Sequence, residues 1–256
     1  MKKLLSVITC VASLMCTSVI AKEVRLASDF TYPPFNYKNS DGVPVGFDIE
    51  IADALCAEAE LDCVWVAQNW DALIPGLIAK KSDVIMASMR ITEERKRKIL
   101  FTDKYYQTPA GFVAPKSSDF TMDKAGLKDK VIGVQRGTTA DRYVTDMFDD
   151  VAEIKRYSGQ DEVYIDMSNK RLDVTFGNTD QLALAFLETN LGEDFEFKGD
   201  VVTDKAYIGE GTALALRKQD TKLAEKFNQA IAAILANGTY DKIAAKYFTF
   251  DIYGEK

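Results

Sequence analysis

The chain has 256 residues, 47% of them apolar, with 32 basic and 39 acidic side chains, four cysteines and no histidine. That length and apolar share supply one large core or two smaller ones, and the acidic balance argues against a nucleic-acid partner, whose phosphates require clustered lysine and arginine. Without histidine there is no Ser-His-Asp or Cys-His nucleophile, no HExxH zinc site and no imidazole relay, so the composition points to a binder.

Met1-Lys2-Lys3 is a short basic start, followed by an uncharged run from Leu4 to Ile20 and compact residues at Val19-Ile20-Ala21. This reads as a signal peptide spanning 1–21 and cleaved after Ala21, which places the protein outside the cytoplasm. A membrane anchor fits less well, because serines and threonines dilute the run and a charged chain follows at once. Cys10 and Cys16 leave with the signal, so Cys56 and Cys63 remain. Two cysteines in an exported chain suggest one disulfide, and no histidine or further cysteine stands ready for a metal. Its short loop limits the stabilisation to about 2–3 kcal/mol.

Val24–Ser28 reads as a strand, and Phe30-Thr31-Tyr32-Pro33-Pro34-Phe35 as an aromatic loop. Phe47, Ile51 and Leu55 recur every four residues and predict a helix ending near Cys56. Cys63–Val66 is a second strand, Trp70 to Ile78 has helical spacing, Asp83–Ala87 is a buried strand, and Thr92-Glu93-Glu94 opens another helix. A second unit begins after Tyr105-Tyr106, with a strand at Val131–Gln135, a helix from Ala140, a strand at Leu172–Phe176 and a helix through Leu182, Phe186 and Leu187. Leu223 to Leu235 forms an apolar helical face that Gly238 stops, and Thr239 starts a last helix through Tyr247. This alternation implies an α/β protein with parallel strands.

One internal echo divides the chain. Lys80 to Ser88 resembles Asn169 to Asn178, each a basic helix end, an Asp-Val strand and a small polar residue where the strand stops. Ligands of open α/β sheets sit beyond the carboxyl ends of the strands, so Ser88 and Asn178 become equivalent positions on two lobes facing one cleft.

Read by themselves, the candidate site residues have ordinary alternatives. Gly133 to Thr139 is a strand-to-helix turn whose amides suit an anion, although it lacks the Lys-Ser/Thr ending of a nucleotide loop. Arg95 follows a strand in a first helical turn, where many arginines only solvate. Trp70 shares a helix face with Leu73 and Leu77, as a core residue would.

The series Asp29-Phe30-Thr31-Tyr32-Pro33-Pro34-Phe35, Val45-Gly46-Phe47-Asp48-Ile49-Glu50, Asp71 to Leu77 and Ile91-Thr92-Glu93-Glu94-Arg95, with the ending Gly238-Thr239-Tyr240-Asp241-Lys242, resembles the polar amino-acid solute-binding proteins of ABC importers. The likeness runs over essentially the whole mature chain and is nearest to the lysine/arginine/ornithine- and histidine-binding proteins of the bacterial periplasm. It implies a periplasmic-binding-protein fold: lobe 1 from 22–108 and 207–256, lobe 2 from 109–206, joined by two hinge strands. It implies a periplasmic monomer that serves an inner-membrane ABC permease, with no cofactor and no metal. Cys56 and Cys63 match the disulfide of that branch.

Carried over by position, Arg95 clamps a ligand α-carboxylate with Ser88, Thr138 and Thr139. Tyr32 and Trp70 sandwich the ligand's side chain, Asp29 meets a distal cation, and Ala87, Gln135 and Ala140 line the pocket. Arg90 and Asn178 depart from the pattern, where relatives for basic amino acids carry serine and aspartate. Both positions belong to the subsite that receives the α-ammonium group, which becomes more positive by two charges. A cation about 4 Å from an arginine at an effective dielectric of about 20 is opposed by about 4 kcal/mol, roughly a thousandfold in affinity. The expectation is therefore an arginine-derived opine such as octopine or nopaline, with Arg90 on its second carboxylate and Asn178 accepting from the secondary amine. The alternative is a plain basic amino acid (arginine, lysine, ornithine or histidine), with Arg90 turned to solvent and Asp180 replacing the missing carboxylate. An enzyme on the same fold would need a placed general acid, and none stands out in the sequence.

Overall fold

The structure, a computed structural model, describes residues 23–254. The expected signal peptide lies outside the described residues. The chain opens with β1 (Val24–Ser28) and three short strands, β2 (Thr31–Tyr32), β3 (Asn36–Lys38) and β4 (Pro44–Val45), which form a small sheet of their own. Then come α1 (Phe47–Glu58), β5 (Cys63–Ala67), a 3-10 turn at Trp70–Ala72, α2 (Leu73–Ile78), β6 (Val84–Ile85), α3 (Glu93–Lys96) and β7 (Leu100–Tyr106). The second unit holds β8 (Ala110–Pro115), β9 (Val131–Gln135), α4 (Thr139–Phe148), β10 (Glu153–Tyr157), α5 (Gln160–Ser168), β11 (Val174–Asn178) and α6 (Thr179–Leu182). A π-helical turn at Ala183–Leu187 follows, then β12 (Phe195–Val202) and α7 (Lys205–Ile208). The chain returns through β13 (Thr212–Leu216), α8 (Thr221–Ala236) and α9 (Thr239–Ala244).

Two five-stranded sheets share one plan. The orders are β5-β1-β6-β13-β7 and β10-β9-β11-β8-β12, and in each the first three strands pair in parallel while the fourth, β13 or β8, pairs antiparallel with both of its neighbours. The register pairs Ala27 with Ile85 in one sheet and Gly133 with Thr175 in the other, so counting forward makes Ser88 and Asn178 equivalent, as the internal echo implies. Chain crosses between the sheets twice, after β7 and after β12, and these are the two hinge connections of a two-lobed α/β protein.

The repeated Asp-Val pair has a local cause. Asp83 Oδ2 accepts from the Arg25 amide at 3.3 Å, and Asp173 Oδ2 accepts from the Val131 amide at 2.8 Å. Each aspartate side chain satisfies an amide at the start of the neighbouring strand, that of Arg25, second in β1, or of Val131, first in β9. This moves the strand starts: β11 begins at Val174 where periodicity places a strand from Leu172, and β6 contracts to Val84–Ile85. The Trp70–Ile78 helix likewise divides into a 3-10 turn and α2, with Pro75 in the first turn of α2.

Central strands β11 and β13 are buried at every residue, because helices cover both faces and no polar alternation is needed. The first core packs Phe47, Ile51 and Leu55 of α1 against Phe227, Ile231 and Ile234 of α8 and the aromatic rings of Phe35, Tyr106 and Phe248. Gly46 enters α1 at φ 123°, and an added Cβ there would lie 2.4 Å from the Phe35 carbonyl oxygen, so glycine alone allows the aromatic loop to close on the helix. Cys56 near the end of α1 is bonded to Cys63 at the start of β5, as expected. Among the described residues no helix is long and apolar enough to cross a membrane.

Candidate functional site

The carboxyl ends of β1, β6, β9 and β11 converge on the cleft between the sheets. Two cavities of about 420 and about 330 Å³ lie there, sharing Tyr32, Arg90, Gln135, Thr138 and Thr139 as walls. The smaller adds Asp29, Trp70, Ala87 and Arg95, and the larger adds Ala140 and Asn178. Ten of the eleven ligand-binding positions expected from the sequence thus line one place, together with Ala140. Ser88 lines neither cavity, and its backbone has a φ of 52°.

Asp29 follows β1 and accepts from Thr31 Oγ1 at 3.1 Å and from Gln135 Nε2 at 3.2 Å. The second bond crosses the cleft. Burial pushes the Asp29 carboxyl above its ordinary range, with the bonds from Gln135 and Thr31 pulling the other way. A buried carboxylate of this kind gains from a cation that replaces the lost water. Tyr32 and Trp70 flank the same cavity, and two apolar rings around a delocalised cation are favourable.

Arg95 is only 9% exposed at the start of α3, where Thr92 caps the helix. Its Nη1 donates to the Arg90 carbonyl at 3.0 Å, and its guanidinium carbon stands 5.3 Å from the Trp70 ring centre. Burial draws its pKa down to about 10, so it remains charged at neutral pH. Opposite it, Thr138 caps α4 by accepting from the Asp141 amide at 3.1 Å while donating to the Gln135 carbonyl at 2.8 Å. A buried arginine facing a capped helix start is a cradle for a carboxylate.

The subsite expected to receive a second carboxylate is built differently. Arg90 is 8% exposed, so it does not turn to solvent. It lines both cavities, but most of its donors are taken by the backbone: Nη1 donates to the carbonyls of Thr108 at 2.8 Å and Ile208 at 3.0 Å, and Nη2 to that of Pro109 at 3.2 Å. Asn178 Oδ1 accepts from the amides of Asp180 at 2.9 Å and Gln181 at 3.1 Å, capping α6. The two groups on which the opine expectation rests are thus engaged by the backbone, and that expectation is corrected on this geometry. Asp180 stands close enough for Arg90 to pull its pKa down, against the burial that lifts it to about 6.

Ser88 donates its hydroxyl proton to Asp48 Oδ2 at 2.8 Å, not towards the cavities. Asp48, fully buried in the first turn of α1, also accepts from Asn36 Nδ2 at 2.8 Å and Tyr105 Oη at 2.8 Å. Burial lifts its pKa to about 6, with these three donors opposing. The network fixes the loop after β6 that carries Ala87, Ser88 and Arg90.

Sequence reasoning missed Gln160, Phe176, Tyr207 and Ile208, all of which line the larger cavity. Gln160 begins α5 and is 4% exposed, with an Nε2 that makes no hydrogen bond. Its helix reads QDEVYIDMS, and Val163, Tyr164 and Met167 keep helical spacing with Gln160 on the same buried face, a signal that was available in the sequence. Phe176 could have been found, since it lies two residues before Asn178 on the repeated strand. Tyr207 and Ile208 lie in a polar-looking crossover that carries no motif.

The family model for bacterial extracellular solute-binding proteins, family 3, matches residues 24–250. An L-arginine-binding protein of Pseudomonas aeruginosa is 46% identical over 234 residues, covering 91% of this chain and 90% of its own. A histidine-binding periplasmic protein of Salmonella typhimurium is 42% identical over 238 residues, covering 93% and 92%. Among solved structures, a Salmonella typhimurium periplasmic binding protein described as highly arginine-specific superposes with a TM-score of 0.82 at 30% identity, over 90% of this chain and 100% of that one.

Proposed function

Because this chain belongs to the bacterial extracellular solute-binding proteins, family 3, we propose that it captures a basic L-amino acid, arginine above all, in the periplasm and delivers it to an inner-membrane ABC permease. The observation that carries this reading is that one cavity is lined by both signs of charge, Arg95 and Asp29, together with the rings of Tyr32 and Trp70. Arg95 is assigned to the α-carboxylate, Asp29 to the side-chain cation, and the two rings to the ligand's side chain. We assign the α-ammonium group to Asp180, which lines neither cavity itself but follows Asn178 by two residues and lies close enough to Arg90 to feel its charge. The names of the relatives, arginine- and histidine-binding, support the same ligand class.

The chemistry is capture and release, with no bond made or broken. The lobes, 22–108 with 207–256 and 109–206, close about hinges near 107–110 and 203–207. Ile208 of the return crossing still packs in the second core. Closure follows from contacts that span the cleft, because a ligand bound equally by open and closed forms shifts nothing. Thermal-shift titration with arginine, lysine, ornithine, histidine and glutamine tests the reading. A rise in midpoint with basic amino acids is expected, and a rise with glutamine alone would overturn it.

A further inference from the structure

Arg90 lines the ligand cleft with most of its donors turned to backbone carbonyls. Its backbone belongs to the first lobe: it bridges Thr212, and the next residue, Ile91, donates its amide to the Gly211 carbonyl at 2.8 Å while accepting from the Glu210 amide at 3.1 Å. The approach is tight. Gly209 has a φ of 73°, and a Cβ there would lie 2.0 Å from the Ile91 carbonyl oxygen. The root of the side chain is therefore fixed to β13 and its lead-in.

The guanidinium leaves that lobe and grips both crossings at once. Thr108 and Pro109 lie on the first crossing and Ile208 on the second. Pro109 and Ile208 also hold to the second lobe. The Pro109 carbonyl accepts from the Thr179 amide at 3.2 Å, and Ile208 is buried with Ala110, Phe112 and Phe176. A planar fork of several N–H donors reaches three carbonyls on two crossings, which an ammonium on a single point does less well. The Arg90 carbonyl, in turn, holds Arg95 Nη1 at 3.0 Å. The bonds therefore join the root of Arg90 in the first lobe to residues that the second lobe also holds, and a change in the angle between the lobes strains or relieves them.

We propose that Arg90 is a positioning residue that ties both hinge crossings to the first lobe and biases the protein towards closure before ligand arrives. The proposal deepens the solute-binding reading and rests on it. By holding the closed form in part, Arg90 reduces the share of binding free energy spent on closing, and it keeps the carboxylate arginine, Arg95, in place.

The test is single-molecule energy transfer between one dye on each lobe of the exported protein, first without ligand. Wild type is expected to show a short-distance population that Arg90→Ser and Arg90→Lys both lose, the lysine variant guarding against a folding defect in the serine variant. With arginine added, both variants should close at concentrations about tenfold higher than wild type. Identical ligand-free distributions in all three proteins would overturn the proposal, as would a wild type that is uniformly open. If arginine closes none of them while the ligand-free shift is present, the hinge role stands and the ligand assignment falls.

Discussion

Gln135 Nε2 lies 3.2 Å from Asp29 Oδ2, a hydrogen bond that joins the end of β9 in one lobe to the turn after β1 in the other. The contact marks where a ligand cation would be worth most, because Gln135 is buried, Asp29 is half-buried, and only Asp29 carries a full charge. Asp29→Asn keeps the shape and removes the charge. It should weaken arginine binding by about a hundredfold, the roughly 2–3 kcal/mol of a charged hydrogen bond, as measured by calorimetry. Unchanged affinity would place the distal cation elsewhere.

Arg95→Ala should cost more. The ligand carboxylate would then be buried without its partner, and such a loss is typically about 3–5 kcal/mol. Arg95→Lys keeps the charge but not the bidentate fork and should recover only part of the affinity. Equal binding by all three proteins in equilibrium dialysis would remove Arg95 from the clamp.

The pH dependence has a definite sign. Burial raises the pKa of Asp29 and lifts that of Asp180 to about 6, so both are readier than free carboxyls to hold a proton. The groups facing them are Gln135, Thr31 and Asp161 for Asp29, and Arg90 for Asp180. A cationic ligand needs the ionised forms, so protons compete with it. Affinity should be full above about pH 7 and fall as pH drops through 6 towards 5, by up to about tenfold per unit for each group involved. Binding near pH 6 should release protons, seen as a calorimetric enthalpy that varies with buffer ionisation heat. Affinity that rises on acidification would contradict the assignment. Asp180→Asn should flatten the part of the profile near pH 6.

The Cys56–Cys63 bond closes a short loop between α1 and β5. Replacing both cysteines by serine should lower the unfolding free energy by about 2–3 kcal/mol in urea. Ligand affinity should hold, because the bond lies away from the cleft residues.

Much of this protein is legible in its sequence because the same strand plan is written twice. The Lys-Asp-Val echo revealed the equivalence of Ser88 and Asn178, and the apolar face of α8 named its buried residues, Phe227, Ala230, Ile231 and Ile234. What stayed hidden depends on direction, not on residue type. Sequence places Arg90 at the cleft but cannot show that its donors turn to three carbonyls more than ten residues away along the chain. Nor could it show that Asn178 caps α6, since a cap and a ligand contact ask for the same side-chain oxygen. The opine expectation failed at these two side chains, while Asp29, Tyr32, Trp70 and Arg95 came together as their motifs implied.

Isothermal calorimetry of the exported protein with L-arginine, beside octopine and glutamine, decides between these ligands. One arginine should bind per chain at micromolar affinity or tighter, with octopine and glutamine far weaker. Heat with octopine and none with arginine, lysine, ornithine or histidine would contradict the proposed function.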